Sequence, residues 1–247
     1  MPHFPTILNA VVTQAFNNYN PSMYAGDGRH KGIDYGVMTG NPVYACMAGT
    51  VQVATNQQTG YGRHVRILHA DFSLSIYGHL SALKVRSGDA VTEGQIIGLS
   101  GGDPRDGIDG DGLSTGPHLH WEIRPAGTHS SDQGAVDPEK WCLQYVPGTY
   151  QILECTASGG LNVRTQPNTS APVLRTLKKR ERVAIAEIKD NWARLLALRP
   201  EWCSLSYLAP TGETITIPEP DAPQPPKPEL SDAEKLDRLW QAHPELH

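Results

Sequence analysis

The stretch STGPHLHWEIR, residues 114–124, indicates what kind of fold this chain adopts. Polar and apolar side chains alternate along HLHWEIR, which predicts a β-strand. On a strand, His118 and His120 lie on the same face, about 6.6 Å apart, while Leu119 faces away into a core. The strand therefore presents two imidazoles side by side.

Two earlier segments carry similar chemistry: GRHKGIDYG at 28–36 and IYGHLS at 76–81. On a straight strand, His30 and Asp34 would lie about 13 Å apart, too far to hold one ion. The glycines make a helix unfavourable. We therefore predict a bent loop or distorted strand, in which Gly32 absorbs the turn at low steric cost.

Imidazole nitrogen and carboxylate oxygen are ligands that Zn²⁺ accepts at about 2.0–2.2 Å, and three such ligands with an open position for water are typical of a catalytic zinc. Taken singly, each residue has an ordinary alternative: His79 as a surface or core histidine, Asp34 as a turn residue. Taken as an ordered set, they predict a site that activates water. His64 and His69, on a predicted strand, are interpreted as ordinary surface positions.

These motifs resemble the lysostaphin/LytM-type zinc endopeptidases, which cut peptide bonds in bacterial peptidoglycan. The resemblance extends from about Val12 to Pro138. It includes, in family order, NPVYACMAGTVQVA, YGRHVRILHADFSLSIYGHLSAL, VRSGDAVTEGQIIGLSGG and TGPHLHWEIR. It implies a mainly β fold, an antiparallel sheet with a catalytic groove. The runs of Val, Ile, Thr and Tyr between Gly-rich turns independently favour that fold class.

The resemblance also implies roles for individual residues. It makes His30, Asp34 and His120 the zinc ligands. It makes His79 and His118 the catalytic pair that orients water and stabilises the developing oxyanion, with the choice of base left open. Tyr24 occupies roughly the place of a tyrosine that assists the oxyanion in some members, and a purely structural role is the alternative.

Composition is typical of a globular protein. The net charge is −5 with scattered Lys and Arg, which gives no footprint for nucleic acid, and no apolar run reaches the about 20 residues that span a bilayer. The N-terminus lacks a signal-peptide pattern, which favours a phage or prophage endolysin over a trimmed secreted enzyme.

Cysteines and a Gly/Asp-rich segment leave questions open. Cys46, Cys142, Cys155 and Cys203 show no metal-ligand spacing. Cys155 and Cys203 could be neighbours, but free buried thiols are favoured over a disulfide. The aspartates of 103–111 hint at calcium; because their order does not match an EF-hand, a solvated loop at the rim of the groove is favoured.

We predict four regions: a peptidase domain at 1–147, a small SH3-like β-barrel at 148–210, a proline-rich linker at 211–229 and a short helix or tail at 230–247. LNVRTQPNTSAPVL, NWARL and EWCSLSYL resemble a bacterial SH3 domain, commonly a wall-binding module; a structural appendage is the alternative. Glu201 replaces the glycine of the usual signature, which predicts a different turn. Trp192, Trp202 and Tyr207 are interpreted as core or rim aromatics. The tail begins with a capping box, Ser231 to Glu234.

The leading hypothesis is a zinc-dependent peptidoglycan endopeptidase acting on a peptide stem or cross-bridge, in the setting of an endolysin. One alternative is a non-catalytic murein-binding or amidase-activating protein on the same scaffold. A second is a phage morphogenetic component that opens the wall during DNA entry. The bond that is cut stays open, because loops around the groove set such choices.

Overall fold

The computed structural model describes residues 2–7, 10–24, 26–129 and 134–218. The helix predicted within 230–247 lies outside the described residues, as does the linker from 219 onward. The described chain is mainly β with antiparallel sheets, which confirms the predicted fold class.

The secondary-structure elements follow in chain order. The peptidase region contains β1 (Val11–Gln14), β2 (Ile33–Gly36), β3 (Pro42–Tyr44), β4 (Gly49–Asn56), β5 (Arg63–His69), β6 (Leu74–Gly78), β7 (Leu80–Leu83), β8 (Ala90–Val91), β9 (Ile96–Ser100), β10 (Leu119–Arg124) and α1 (Pro138–Leu143). The following region contains β11 (Gly148–Cys155), β12 (Leu161–Arg164), β13 (Val173–Leu177), β14 (Arg182–Lys189), β15 (Trp192–Leu195), β16 (Trp202–Ser204), a short 3₁₀ turn (Leu205–Tyr207) and β17 (Leu208–Ile217).

The peptidase domain is built on a seven-stranded sheet in the order β1-β2-β10-β6-β5-β4-β8, beside a three-stranded sheet in the order β3-β9-β7. The two sheets share one apolar core, to which Val43 and Ile97 contribute from the small sheet, and Tyr35 and Trp121 from the large one. Strand β10 lies between β2 and β6, and this central position brings residues distant in sequence to either side of His120.

Helix α1 was not predicted from the sequence pattern. Asp137 caps it by accepting a hydrogen bond from the Lys140 backbone N–H at 3.2 Å, and Pro138 occupies the first turn. An N-cap aspartate followed by proline is a recognisable start signal, but the helix is too short to show a periodic apolar face. Glu139 accepts a hydrogen bond from the Tyr35 hydroxyl at 2.7 Å, which ties α1 to β2.

The second domain forms a seven-stranded antiparallel sheet in the order β13-β12-β16-β15-β14-β11-β17. Its final strand, β17, pairs with β11 up to Ile217. The boundary predicted at 210 is therefore wrong, because residues 211–217 belong to this strand rather than to a linker. Thr alternates with Ile and Glu in these residues, which is a strand pattern. It was assigned to the linker because a proline-rich stretch follows it.

The two domains are in direct contact through the loop between β15 and β16. Leu198 belongs to the apolar core of the peptidase domain. The buried Arg199 donates a hydrogen bond to the Ala10 carbonyl, and its guanidinium lies 5.2 Å from the centre of the Phe4 ring. Glu201 has one carboxylate oxygen 3.0 Å from Arg175 Nε and the other 3.4 Å from Arg199 Nε. Glu201, which stands where the usual bacterial SH3 signature has glycine, thus takes part in the contact between the domains.

Buried polar residues correct another interpretation. His64 and His69 are 0% and 4% exposed, so they are not surface residues. Both rings donate from Nδ1 to a backbone carbonyl, at Gly62 and Ala48 respectively, and both distances are 2.9 Å. A strand buried on both faces hides such positions from an argument based on alternation.

All four cysteines are free and buried. Among the described residues, no helix has the length and apolar character needed to cross a bilayer.

Candidate metal centre

Strand pairing brings three predicted ligands together. Asp34 on β2 lies directly opposite His120 on β10 in the antiparallel register. His30 precedes β2 in a loop that is pinned by backbone hydrogen bonds to Asn17 and Asn18. Because the chain bends between His30 and Ile33, the His30 imidazole returns to the carboxylate four residues later. The predicted bend is present.

The donor atoms form a small triangle. Asp34 Oδ1 lies 2.8 Å from His120 Nδ1 and 3.1 Å from His30 Nε2, and the two nitrogens are 3.0 Å apart. Ligand atoms on a tetrahedral zinc lie about 3.3 Å apart for bonds near 2.0–2.1 Å. Moving each side chain by a few tenths of an ångström would accommodate the ion. The donor set, two imidazoles and one carboxylate, also suits zinc.

The ring of His30 is oriented for this role by its other nitrogen. His30 Nδ1 donates to the Ala15 carbonyl at 3.1 Å, so its proton resides there and Nε2 is left as a lone-pair donor toward the triangle. Burial would raise the pKa of Asp34, but hydrogen bonds from His120 and His30 outweigh it and hold the pKa well below its ordinary value. Asp34 is therefore an anion over the whole physiological pH range.

Gly32 lies at the predicted bend, directly before β2, and it is constrained by close neighbours as well. Its φ is not in the left-handed region, and a Cβ at this position would lie 2.4 Å from the Trp121 carbonyl oxygen and 2.7 Å from His120 Cε1. The glycine at this bend is also needed because β10 and the ligand ring pass close to the backbone.

His79 lies between β6 and β7 with a left-handed backbone, φ 57°, which is unusual for a residue other than glycine. Its backbone N–H donates to the Tyr61 carbonyl at 2.8 Å, and its Nδ1 donates to the Asp111 carbonyl at 2.7 Å. Burial, followed by the proximity of His118 and His120, lowers the pKa of His79 to about 3. The ring is therefore neutral at pH 7, with Nε2 unprotonated.

His118 precedes β10 and lies beside His79, with 4.6 Å between the ring centres. Its Nδ1 donates to the Gly116 carbonyl at 2.8 Å, and its Nε2 lies 3.7 Å from Asp34 Oδ2. Burial lowers the pKa of His118 and outweighs the opposing effect of Asp34. Two neutral imidazoles thus stand next to the triangle, each with an unprotonated Nε2.

Tyr24 stacks on the His30 ring, with 4.9 Å between ring centres and 22° between planes. Burial, followed by the charge of Asp34, raises the pKa of its hydroxyl. Among the described residues, no hydrogen-bond partner of that hydroxyl is found. The five other predicted residues lie together in this site, and Tyr24 lies at its edge on the side of His30.

The Asp-rich segment is fixed by hydrogen bonds. Arg63 donates to the carbonyls of Leu80, Ser81 and Asp109, and the Leu113 N–H donates to the Gly60 carbonyl at 2.9 Å. Three of its carboxylates are engaged separately: Asp103 pairs with Arg105, Asp106 with Thr39 and Asp109 with Asn56. This pairing favours the predicted rim loop over a calcium site, and the loop supplies the carbonyl that orients His79.

A groove of about 510 Å³ holds all of these groups. Its rim includes the exposed apolar side chains of Met23 and Leu113 and the cation of Arg29. At its floor, behind His120, lie two residues that the motifs did not single out, Tyr61 and Glu122. Glu122 stands two residues after His120 in the motif, and its place on the same strand face could have suggested it.

Comparison with known proteins agrees with this arrangement. Residues 28–138 match peptidase family M23, and residues 159–209 match the bacterial SH3 domain. The chain has an M23 peptidase domain followed by a bacterial SH3 domain.

Individual relatives share part of the chain. An uncharacterized metalloprotease of Haemophilus influenzae is 38% identical over 121 residues, which are 49% of this chain and 24% of that protein. The peptidoglycan DD-endopeptidase ShyC of Vibrio cholerae is 32% identical over 131 residues, 51% of this chain and 28% of that protein. The chain thus spans about a quarter of the length of these curated relatives. The catalytic domain of the antimicrobial peptidase lysostaphin from Staphylococcus simulans is 31% identical, covers 53% of this chain and 90% of its own, and has a TM-score of 0.45.

Proposed function

We propose that this chain is a zinc-dependent endopeptidase that hydrolyses peptide bonds in bacterial peptidoglycan. The observation that carries the proposal is the triangle of His30, Asp34 and His120 at 2.8–3.1 Å, with two neutral imidazoles beside it in one groove. Two findings support this substrate class: residues 28–138 match peptidase family M23, and a relative is named a peptidoglycan DD-endopeptidase.

The three ligands would hold the ion, which when bound supplies Lewis acidity that acidifies water and polarises the scissile carbonyl. His79 and His118 each donate from Nδ1 to a backbone carbonyl, so each has a free Nε2 that can take a proton from the attacking water. The protonated ring can then deliver that proton to the leaving amine and stabilise negative charge on the former carbonyl oxygen. Tyr24, beside His30, is proposed to assist that oxygen.

The second domain is proposed to bind the wall. Binding through a linked module raises the local concentration of substrate at the groove. Here Leu198 and Arg199 dock the module on the peptidase domain. The direction in which it presents the wall to the groove is therefore set by the fold and not by a linker.

The test uses purified full-length protein, purified murein sacculi, turbidity loss and mass spectrometry of the released peptides. His30→Ala should lose zinc and lysis together. His118→Ala should keep zinc but turn over about 10²–10⁴-fold more slowly, because only proton and charge handling is lost. Met38→Ala serves as a control, since this side chain is 70% exposed and does not line the groove.

Two outcomes would contradict parts of the proposal. A His118→Ala enzyme that lyses walls at the wild-type rate would refute the role of that residue. A zinc-loaded wild type that binds sacculi and releases no peptides would instead support the non-catalytic murein-binding alternative. The endolysin setting is a separate prediction, tested by asking whether the protein lyses its host only when a holin is co-expressed.

A further inference from the structure

Glu122 is a fully buried carboxylate beside the proposed metal centre, and its exposed fraction is 0%. It follows His120 by two residues on β10, so both side chains point to the same face of the strand. A carboxylate taken out of water is strongly unfavourable unless its oxygens are satisfied. Each of its two oxygens must therefore have hydrogen-bond donors.

Both oxygens have short contacts. Oε1 accepts from Arg124 Nε at 2.5 Å, and Oε2 accepts from the Tyr61 hydroxyl at 2.6 Å. Arg124 Nη2 in turn donates to the Tyr61 oxygen at 3.1 Å. The Arg66 guanidinium lies 5.5 Å from the centre of the Tyr61 ring. Glu122 is therefore an anion held in one orientation by a closed network of donors.

Besides the Tyr61 hydroxyl, Oε2 of Glu122 also faces His120. That oxygen lies 3.5 Å from His120 Nε2, a buried nitrogen for which no hydrogen-bond partner is found among the described residues. The opposite nitrogen, Nδ1, faces Asp34 and His30. An imidazole that binds a metal through Nδ1 must have its proton on Nε2, and that proton needs an acceptor. A shift of about half an ångström would give a normal hydrogen bond.

We propose that Glu122 is a positioning residue for the metal centre: it accepts the Nε2–H of His120, fixes the tautomer with Nδ1 toward the ion and makes that nitrogen a stronger ligand. This inference rests on the proposed function. Tyr61 and Arg124 hold the carboxylate in place. Tyr61 also accepts the backbone N–H of His79 through its carbonyl, so one residue supports both sides of the site.

The first experiment is a zinc titration of the full chain against a chromogenic chelator. Glu122→Gln keeps the shape of the side chain but replaces an anionic acceptor with a weak neutral one. Removing such a partner of a ligand histidine typically lowers metal affinity about 10–100-fold. We expect that loss, together with a shifted d–d absorption band when Co²⁺ is the probe. Glu139→Gln is the control, because Glu139 is a partly buried carboxylate that also accepts from a tyrosine hydroxyl.

The melting temperatures of the metal-free proteins separate positioning from a structural role. Zinc affinity that falls at least tenfold further in Glu122→Gln than in Glu139→Gln supports the proposal, whatever the change in melting temperature. Equal zinc affinity in the two variants, or an affinity equal to that of the wild type, overturns it. Tyr61→Phe should weaken zinc binding less than Glu122→Gln, because the carboxylate itself is kept.

A measurement on the wild type covers the case in which the variant does not fold. Nitrogen-15 spectra of the zinc-loaded protein should show His120 protonated at Nε2, with a shift that indicates a strong hydrogen bond. A rapidly exchanging proton there, or ligation through Nε2, overturns the proposal. A wild type that binds no zinc and releases no murein peptides refutes the proposed function instead, so the two failures are distinguishable.

Discussion

Replacing Arg199 with methionine should destabilise the chain by about 2–4 kcal/mol, because this side chain links the two domains. The hydrogen bond from a charged donor to the Ala10 carbonyl contributes about 1.5–3 kcal/mol. The approach of the guanidinium to the Phe4 ring adds about 0.5–2 kcal/mol. Methionine keeps much of the apolar stem contact, and Glu201 retains Arg175 as a partner, which limits the loss.

Urea unfolding followed by tryptophan fluorescence and far-UV circular dichroism measures this loss. For a slope of about 2 kcal/mol per molar urea, the midpoint should fall by about 1–2 M. The wild type should unfold in one transition, and Arg199→Met should separate the two domains into two. Arg182→Met is the control, because Arg182 and its partner Glu213 are 53% and 56% exposed, and exposed pairs contribute little. An Arg199→Met midpoint equal to that of Arg182→Met would refute the domain contact.

Three further perturbations address the site. Gly32→Ala should abolish zinc binding in a titration, because its Cβ would clash with the Trp121 carbonyl and the His120 ring. Gly159→Ala, at an open position, is the control that should keep the affinity, and an equal affinity in Gly32→Ala would contradict the prediction. Arg63 holds the rim loop, so Arg63→Met should release the loop and lower kcat while zinc affinity stays unchanged. Parallel losses of kcat and zinc affinity would contradict a role of Arg63 in holding the loop. Zinc at 100 times its Kd should stabilise the fold by about 2.7 kcal/mol and raise Tm by about 5–10 °C in calorimetry, and an unchanged Tm would argue against a ligand set.

The order of motifs predicted the fold class and pointed to residues that the fold brings into one groove, because residue types with demanding chemistry leave a local trace. Alternation placed His118 and His120 on one face, and the spacing of His30 and Asp34 required a bend. Both features depend on a few neighbouring residues. The close approach at Gly32 was missed because its cause, the Trp121 carbonyl, is distant in sequence.

The remaining differences have the same physical origin. His64 and His69 are buried because the fold covers β5 on both faces, and that coverage is set by long-range packing. Strand β17 is defined by its pairing with β11, which overrides the proline-rich composition that follows it. Local sequence carries propensity, whereas burial and strand partners depend on the whole fold.

The domain contact limits what the proposed wall binding by the second domain can achieve. A flexible linker would let the module sample many orientations, and the gain in local concentration would be spread over all of them. Leu198 in the peptidase core and Glu201 between two arginines remove that freedom. The gain should then be confined to wall segments whose geometry matches the fixed separation of module and groove. Arg199→Met, by loosening the contact, should consequently change the distribution of released peptides as well as the stability of the chain, an effect that a purely structural contact would not produce.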